Sequence, residues 1–240
     1  MTERYELPEE LRLTRNLVRD FNKNEIIPLE QEIPHDSITI PENDFSRLSQ
    51  KTREMGLWCL AVPEKHGGAG LSLFANAVIA EEMVQHAAGL YCPAYGTMGD
   101  APPEIIWAGD EYQIKKYGLP TVEHKLKGWF AITEPSGGSD PARAIQTHAK
   151  RDGDDWIING SKIFISGSPW GDWGIVFART DPESRRGITA FIVENDWPGL
   201  TVEPVPVMRA YYPGQLFFDD LQIGLERILA HFGSTKTRRT

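Results

Sequence analysis

The sequence predicts an α+β protein, in which an N-terminal all-helical domain precedes an antiparallel β-barrel or sandwich domain. Up to about Lys127 the apolar residues recur at the spacing of amphipathic helices. After Gly128 they alternate in short runs that are separated by Gly, Pro and Asn-Gly turn signals, which is typical of strands. We therefore predict a helical domain of residues 1–127, a β-domain of residues 128–230 and a tail of residues 231–240.

The helical part begins with two segments that prolines delimit. A first helix begins near Leu11 and stops near Pro28, and Pro41 opens a second helix. Residues 100–117 read as two shorter helices that are broken near Gly109. These assignments depend on spacing and on helix-breaking residues alone.

The clearest helix spans residues 71–85. Its apolar residues form a stripe that is broad enough to predict a mostly buried helix. The acidic pair Glu81-Glu82 is interpreted as the solvated face of this helix, although paired carboxylates can also act in acid–base chemistry.

Seven runs in the second half have the character of strands, and each is short and rich in β-branched or aromatic residues. They are Trp129–Thr133, Ala144–Lys150, Trp156–Ser166, Trp173–Ala178, Thr189–Val193, Thr201–Val207 and Leu216–Ile223. Within the third run, Asn159-Gly160 is a hairpin signal. So many short strands predict a barrel or a sandwich.

Composition excludes several classes of protein. The 240 residues include 40 % hydrophobic and 25 % charged residues, as in globular proteins. The net charge of −9 argues against binding to nucleic acids and to anionic membrane surfaces. Two unpaired cysteines, the absence of a secretory signal and the lack of a membrane-spanning run predict a cytoplasmic protein. The six histidines have no metal-ligand spacing, so no metal site is expected.

Two motifs carry the strongest chemical signal. The segment Phe130-Ala-Ile-Thr-Glu-Pro-Ser-Gly-Gly-Ser-Asp140 leads from a strand into a glycine turn, which can present backbone N–H groups and hydroxyls to a polar ring system. The segment Asn159-Gly-Ser-Lys-Ile-Phe-Ile-Ser166 ends a second strand on a hydroxyl. Taken alone, Thr133 and Ser166 are better interpreted as solvated strand-end hydroxyls, and the two glycines as a plain turn.

In this order and spacing, the two motifs resemble the flavin-binding signature of the acyl-CoA dehydrogenase family. Further similarity lies in the loop of residues 62–71, the segment 109–117 and Phe217-Phe-Asp-Asp220. The resemblance implies the N-terminal helical and middle β-domains of that family, with FAD as the cofactor.

The resemblance also implies roles for individual side chains around the flavin. Thr133 would address the pyrimidine edge of the ring, and Ser166 would approach N5. Ser139 would lie where the cofactor phosphates meet the acyl-CoA thioester, which makes it a substrate-binding residue too. Phe164 stands where the family usually has tryptophan. The candidate cofactor-binding residues are Phe130, Ile132, Thr133, Ser139, Phe164 and Ser166.

The activity implied by the resemblance is the α,β-dehydrogenation of an acyl-CoA, as in fatty acid metabolism. In the family, a C-terminal helical bundle supplies the catalytic glutamate, and no segment here resembles it, so no catalytic residue is assigned. Glu134 is interpreted as a structural carboxylate. A homo-oligomer, or a partner chain that supplies the bundle, is expected. The alternatives are a non-catalytic or partner-dependent subunit, a truncated gene product, and a related flavin oxidase or monooxygenase.

Overall fold

The computed structural model describes residues 6–34, 37, 39–86, 96–208 and 212–231. The described residues up to Asp100 form one compact unit, here called the helical unit, and those from Ala101 onward form a second, the sheet unit. Helices give way to strands at Gly128, where the first strand begins. The division into domains at residue 127 stays a prediction, and the predicted tail lies, apart from His231, outside the described residues.

Four α-helices are described in the helical unit. They are α1 (Glu9–Phe21), α2 (Ile27–Glu30), α3 (Glu42–Glu54) and α4 (Leu73–Met83). A π-helical turn, Asn22–Ile26, joins α1 to α2 without a break. The predicted stop near Pro28 is therefore two residues early, because α2 continues past Pro28 to Glu30.

The core of the helical unit forms where α1, α3 and α4 face one another. Val18, Leu48 and Ile79 have no exposed surface, and Ile26 and Met98 pack with them. These side chains come from segments far apart in the sequence, so burial of their apolar surface holds the unit together.

The prediction that α4 is mostly buried is wrong for the described residues. Only Ile79 and Glu82 of this helix are buried, whereas Leu73 is 88 % exposed and Phe74 is 48 % exposed. The interpretation of Glu82 as solvated is also wrong, because its carboxylate pairs with Arg19 of α1. Only one side of α4 packs on α1. The apolar stripe of α4 is wider than this contact, so part of the stripe stays exposed.

The sheet unit begins with helical turns. A 3₁₀ segment, Glu104–Ala108, ends at Gly109, and a continuous helical stretch follows: α5 (Glu111–Gln113), a π-helical segment (Ile114–Gly118) and α6 (Leu119–Val122). The predicted break at Gly109 is confirmed. Asp110 explains the restart, because its side chain accepts the Gln113 N–H in a capping box.

In the part of the chain that the structure describes, eight strands form one sheet. A short helix, α7 (Pro141–Ala144), lies between the first two strands in the sequence. The strands are β1 (Gly128–Ala131), β2 (His148–Asp152), β3 (Asp155–Ile165), β4 (Trp173–Arg179), β5 (Ile188–Glu194), β6 (Leu200–Pro204), β7 (Gly214–Gly224) and β8 (Ile228–His231). Seven correspond to the predicted runs. The sequence analysis missed β8, whose few residues have no distinctive alternation.

The predicted order of a helical region followed by a β-domain is confirmed, but the sheet is mixed. Its strands follow the order β6-β7-β3-β2-β4-β5-β8, and β1 pairs with β4. The β1–β4 and β2–β4 pairs are parallel and the remaining pairs are antiparallel. Among the described residues the end strands β6 and β8 do not pair with each other, so the sheet is not closed.

The hairpin predicted at Asn159-Gly160 does not exist, because β3 runs through both residues and pairs with β7. The turn that reverses the chain lies earlier, at Gly153, which has a φ of +61°. Gly160 is needed for a different reason. A Cβ at this position would lie 2.7 Å from the Cα of Thr147, so glycine permits the close approach of the neighbouring segment.

Candidate functional site

The first motif leaves the sheet at the end of β1 and folds back on itself. Glu134 and Gly137 exchange backbone hydrogen bonds of 3.2 and 3.0 Å, which close a tight turn. A Cβ on Gly138 would lie 3.2 Å from the side chain of Thr133. The glycine turn therefore lies directly against Thr133 and leaves no room there for another side chain.

The second motif ends in a bulge at the end of β3. The register with β7 shifts between Lys162 and Ile165, and Phe164 in this bulge has a φ of +59°. A left-handed backbone is rare for an aromatic residue and bends the strand. The bend leaves the Phe164 ring 58 % exposed at the surface.

One backbone hydrogen bond joins the two motifs. The Ile163 N–H donates to the Thr133 carbonyl over 3.0 Å, although 30 residues separate them in the sequence. Thr133 therefore lies beside the bulge that leads to Phe164 and Ser166. The structure thus brings together the two strand ends that the sequence analysis singled out.

The hydroxyl groups of the predicted site have no hydrogen-bond partner in the part of the chain that the structure describes. They belong to Thr133, Ser139 and Ser166. Thr133 and Ser166 are partly exposed, and Ser139 is exposed on the turn. These three hydroxyls are thus available as donors and acceptors to an external polar group.

Apolar surface lies beside these hydroxyls. The Phe130 ring on β1 is 44 % exposed and packs edge-on against Phe177, with the ring centroids 5.0 Å apart. Ile132, next along the chain, is partly buried against the core of the sheet unit. Together with Phe164, these side chains give the region apolar walls and a polar edge. That combination suits a planar, partly polar ligand.

A buried ion pair lies directly beneath the site. The Lys162 ammonium has no exposed surface and contacts Glu134 Oε1 at 2.9 Å and the Ile132 carbonyl at 3.2 Å. The Glu134 carboxylate also accepts the Gln146 and Thr147 backbone N–H groups at 2.7 and 2.9 Å. The interpretation of Glu134 as the carboxylate that holds the turn agrees with these contacts.

The two members of the pair differ in how burial acts on them. Burial by itself would raise the pKa of Glu134, but the hydrogen bonds from Gln146, Lys162 and Thr147 outweigh it and lower this pKa. For Lys162, burial lowers the pKa to about 8, and the bond to Glu134 offsets only part of this effect. Glu134 is therefore firmly ionised at neutral pH.

The sequence analysis overlooked Lys162. The alternation of β3 is interrupted between Ile158 and Lys162, since the register with β7 shifts there and Gly160 is exposed, so alternation alone does not place the lysine on the inward face. A lysine at an inward strand position requires a buried partner. The sequence could not identify which carboxylate provides it.

A second polar network holds the segment that carries Ser166. The Trp129 indole N–H donates to Asn195 Oδ1 at 2.6 Å, and the Asn195 amide donates to the Ser168 carbonyl at 2.8 Å. Ser168 in turn donates to the Ile165 carbonyl at 2.9 Å. The loop after β3 is thereby tied to β1 and to the end of β5. No pattern in the sequence indicated the role of Asn195.

Other groups in the described residues show no comparable constellation. Cys59 is buried, and burial raises the pKa of its thiol to about 12; Cys92 lies outside the described residues. Among the described residues no group of three His, Cys, Asp or Glu side chains could hold a metal ion. In the same residues no helix is long and apolar enough to cross a membrane.

Comparison with known proteins identifies the family. Residues 8–124 match the family model of the acyl-CoA dehydrogenase N-terminal domain, and residues 129–221 match that of the acyl-CoA dehydrogenase middle domain. The chain therefore belongs to the acyl-CoA dehydrogenase family, which confirms the resemblance seen in the two motifs.

Individual relatives agree with this assignment. The chain is 34 % identical to an (R)-benzylsuccinyl-CoA dehydrogenase of Thauera aromatica and 32 % identical to a mitochondrial short-chain specific acyl-CoA dehydrogenase of Rattus norvegicus. Each match covers 95 % of this chain, and 60 % and 55 % of the respective relative.

A solved structure shows the same fold. The glutaryl-CoA dehydrogenase of Mycobacterium smegmatis, in complex with FADH2, is 26 % identical and superposes with a TM-score of 0.75. The match covers 95 % of this chain and 57 % of that one. The chain thus spans little more than half the length of the proteins that it matches.

Proposed function

We propose that this chain binds FAD through its sheet unit and takes part in the α,β-dehydrogenation of an acyl-CoA thioester. The observation that carries the proposal is the meeting of unpartnered hydroxyls and exposed aromatic rings at the ends of β1 and β3. The names of the three similar proteins described above, each a dehydrogenase of a CoA thioester, support this reaction and substrate class. The FADH2 in the solved relative supports the cofactor.

The residues present fit a flavin. Its ring system has apolar faces and a polar pyrimidine edge, and the candidate site offers both characters. Thr133 would meet the pyrimidine edge and Ser166 would meet N5, while Phe130, Ile132 and Phe164 would line the ring. The absence of a side chain at Gly138 lets the turn pack closely against Thr133.

Each group of the chain then has a defined task. The chemistry that FAD supplies when bound is the acceptance of a hydride at N5. The hydroxyls of Thr133 and Ser166 orient the ring and offer hydrogen bonds to the edge on which negative charge develops. Phe164 would exclude water from one side, and Ser139 would meet the phosphates and the thioester end of the substrate.

Glu134 does not serve as the base for the α-proton. Its carboxylate is buried and already accepts hydrogen bonds from Lys162, Gln146 and Thr147, so no substrate proton comes within reach. We therefore assign the base to a group outside the flavin motif, as the family resemblance implies.

We also propose that this chain associates with other protein chains. Apolar side chains of α4 are exposed, above all those of Leu73 and Phe74. Such a surface favours a protein that forms an oligomer or packs on a helical bundle. Light scattering of the purified protein tests this expectation. A single monomeric species that binds no hydrophobic dye would contradict it.

The absorbance spectrum of the purified protein tests cofactor binding directly. We expect flavin absorbance bands that persist after gel filtration. We also expect these bands to bleach anaerobically when an acyl-CoA thioester is added to the protein in its oligomer or in its complex with the helical bundle. In Thr133→Ala and Ser166→Ala, flavin binding should weaken, because each neutral hydrogen bond contributes about 1 kcal/mol. A protein that takes up no flavin from excess FAD would refute the proposed function.

A further inference from the structure

Three consecutive residues at the exit of β1 are each fixed to β3 by a separate hydrogen bond. The Ile132 carbonyl accepts from the Lys162 ammonium, the Thr133 carbonyl accepts from the Ile163 N–H, and the Glu134 carboxylate accepts from Lys162. Lys162 provides two of the three bonds, so its one side chain fixes the residues on both sides of Thr133.

Glu134 extends this arrangement to a third segment. Its contacts with the backbone N–H groups of Gln146 and Thr147 bind the strand exit to the residues that precede β2. Thr147 also donates to the Ser161 carbonyl at 3.1 Å, which returns the connection to β3. The conformation of Thr133 is therefore determined from both sides of the peptide chain.

A buried ion pair contributes little net stability to a folded protein. The desolvation of both charges offsets much of their attraction, and apolar residues of similar volume often serve as well or better. The apolar core of the sheet unit is formed by other side chains, among them Ile158, Val176 and Phe191. The location of the pair, under the residue that would meet the flavin edge, indicates a role in geometry.

We propose that Lys162 and Glu134 are positioning residues, which hold the Ile132–Thr133 backbone in the conformation that binds the flavin ring. This inference rests on the proposed function, since it assigns a role toward FAD. Lys162 has a specific task, because it donates a hydrogen bond to the Ile132 carbonyl. A neutral and apolar side chain of equal length cannot make this bond.

The test compares three variants of the full-length protein. Lys162→Met removes the ammonium and leaves the carboxylate without this partner. The double variant Lys162→Met/Glu134→Gln removes both buried charges together. Lys116→Met is the matched control, because Lys116 also contacts a single glutamate, Glu194, at 2.9 Å, but lies on the helical stretch of the sheet unit.

Two readouts separate positioning from folding. Thermal unfolding of the apo-proteins reports stability, and titration of the apo-proteins with FAD reports the dissociation constant and the visible bands of the bound ring. We expect the double variant to melt near the wild type, since it buries no unpaired charge, but to bind FAD about tenfold more weakly with altered bands. The control should match the wild type in FAD binding.

The outcomes are distinguishable. A wild-type protein that binds no FAD would overturn the proposed function and this assignment with it. A wild type that binds FAD, together with a folded double variant of unchanged affinity and unchanged bands, would overturn the positioning role alone. If Lys162→Met does not fold, the double variant decides the question.

Discussion

The two units of the protein each contain a basic side chain paired with a buried glutamate, and the two pairs differ in their access to water. In the helical unit Arg19 of α1 contacts Glu82 of α4, and the arginine side chain is 51 % exposed. In the sheet unit Lys162 contacts Glu134, and neither side chain is more than 4 % exposed. The first pair joins two helices at the surface, while the second lies within the sheet.

This difference shows where an ion pair can determine structure. Water and salt screen the charge of Arg19, so this pair adds little to the packing of α1 on α4. No water reaches Lys162, so its charge has to be satisfied by the groups around it, which fixes their positions. The lowered pKa values of Glu82 and Glu134 have different origins accordingly. The hydrogen bond from Arg19 dominates for Glu82, whereas several donors outweigh the effect of burial for Glu134.

Breaking the buried pair should have the largest effect. In Glu134→Ala, the buried Lys162 loses its carboxylate partner, and the Gln146 and Thr147 N–H groups lose their acceptor. We expect a loss of about 3–5 kcal/mol in the free energy of unfolding, measured by denaturant titration. Glu123→Ala is the control, because its pair with Lys125 is exposed on both sides. Equal losses in the two variants would contradict the comparison.

The neutral network beside the buried pair shows how much of that loss comes from charge. Asn195→Ala removes the acceptor of the Trp129 indole N–H, which is buried, and releases the Ser168 carbonyl. We expect a loss of about 1–3 kcal/mol, clearly less than for Glu134→Ala. The same titrations measure it, and a loss as large as that of Glu134→Ala would show that charge is not decisive.

The free energy of unfolding should depend on pH through the ionisation of Glu134. The pKa of Glu134 is lower in the folded protein than the usual value of 4.5, so the folded state binds fewer protons than the unfolded state in acid. Its contribution is complete above pH 4.5 and declines as the pH falls through the folded-state value. The stability difference between the wild type and Glu134→Gln should therefore shrink below pH 4.5. A difference that is constant from pH 7 to pH 3 would contradict this origin.

The Arg19–Glu82 pair, whose arginine is half exposed to water, should give the smallest effect and the only one that depends strongly on salt. Arg19→Met retains the apolar part of the side chain and removes the contact with Glu82. We expect a smaller loss than for Asn195→Ala, and a further decrease of this loss at about 1 M salt, where the screening length is about 3 Å. The loss in Glu134→Ala should stay nearly constant over the same range of salt. Salt-independent behaviour of Arg19→Met would remove the distinction between the two pairs.

The sequence was informative wherever local rules act. Helical spacing located α1, α3 and α4, and turn residues separated seven of the eight strands. The order and spacing of the two motifs identified the family and directed attention to Thr133 and Ser166. The predicted roles of these side chains toward a flavin stay predictions until binding is measured.

The predictions that were wrong concern features that depend on contacts between segments distant in the sequence. Asn159-Gly160 looks like a turn from its neighbours, but Thr147 from another segment makes glycine necessary within a strand. The stripe of α4 predicts burial, although burial depends on how much of that helix a partner covers. The parallel pairing of β1 with β4 likewise depends on strands that lie about 40 residues apart.

The sequence by itself determined the secondary structure, the family and the motif residues, because spacing, turn chemistry and motif order are local properties of the chain. Only the tertiary structure decided that Glu134 is held by Lys162, that Asn195 supports the segment after β3 and that the sheet is mixed. A hydrogen bond or an ion pair requires two groups within about 3 Å, and the pairing of residues 28 or 66 positions apart is set by the fold as a whole.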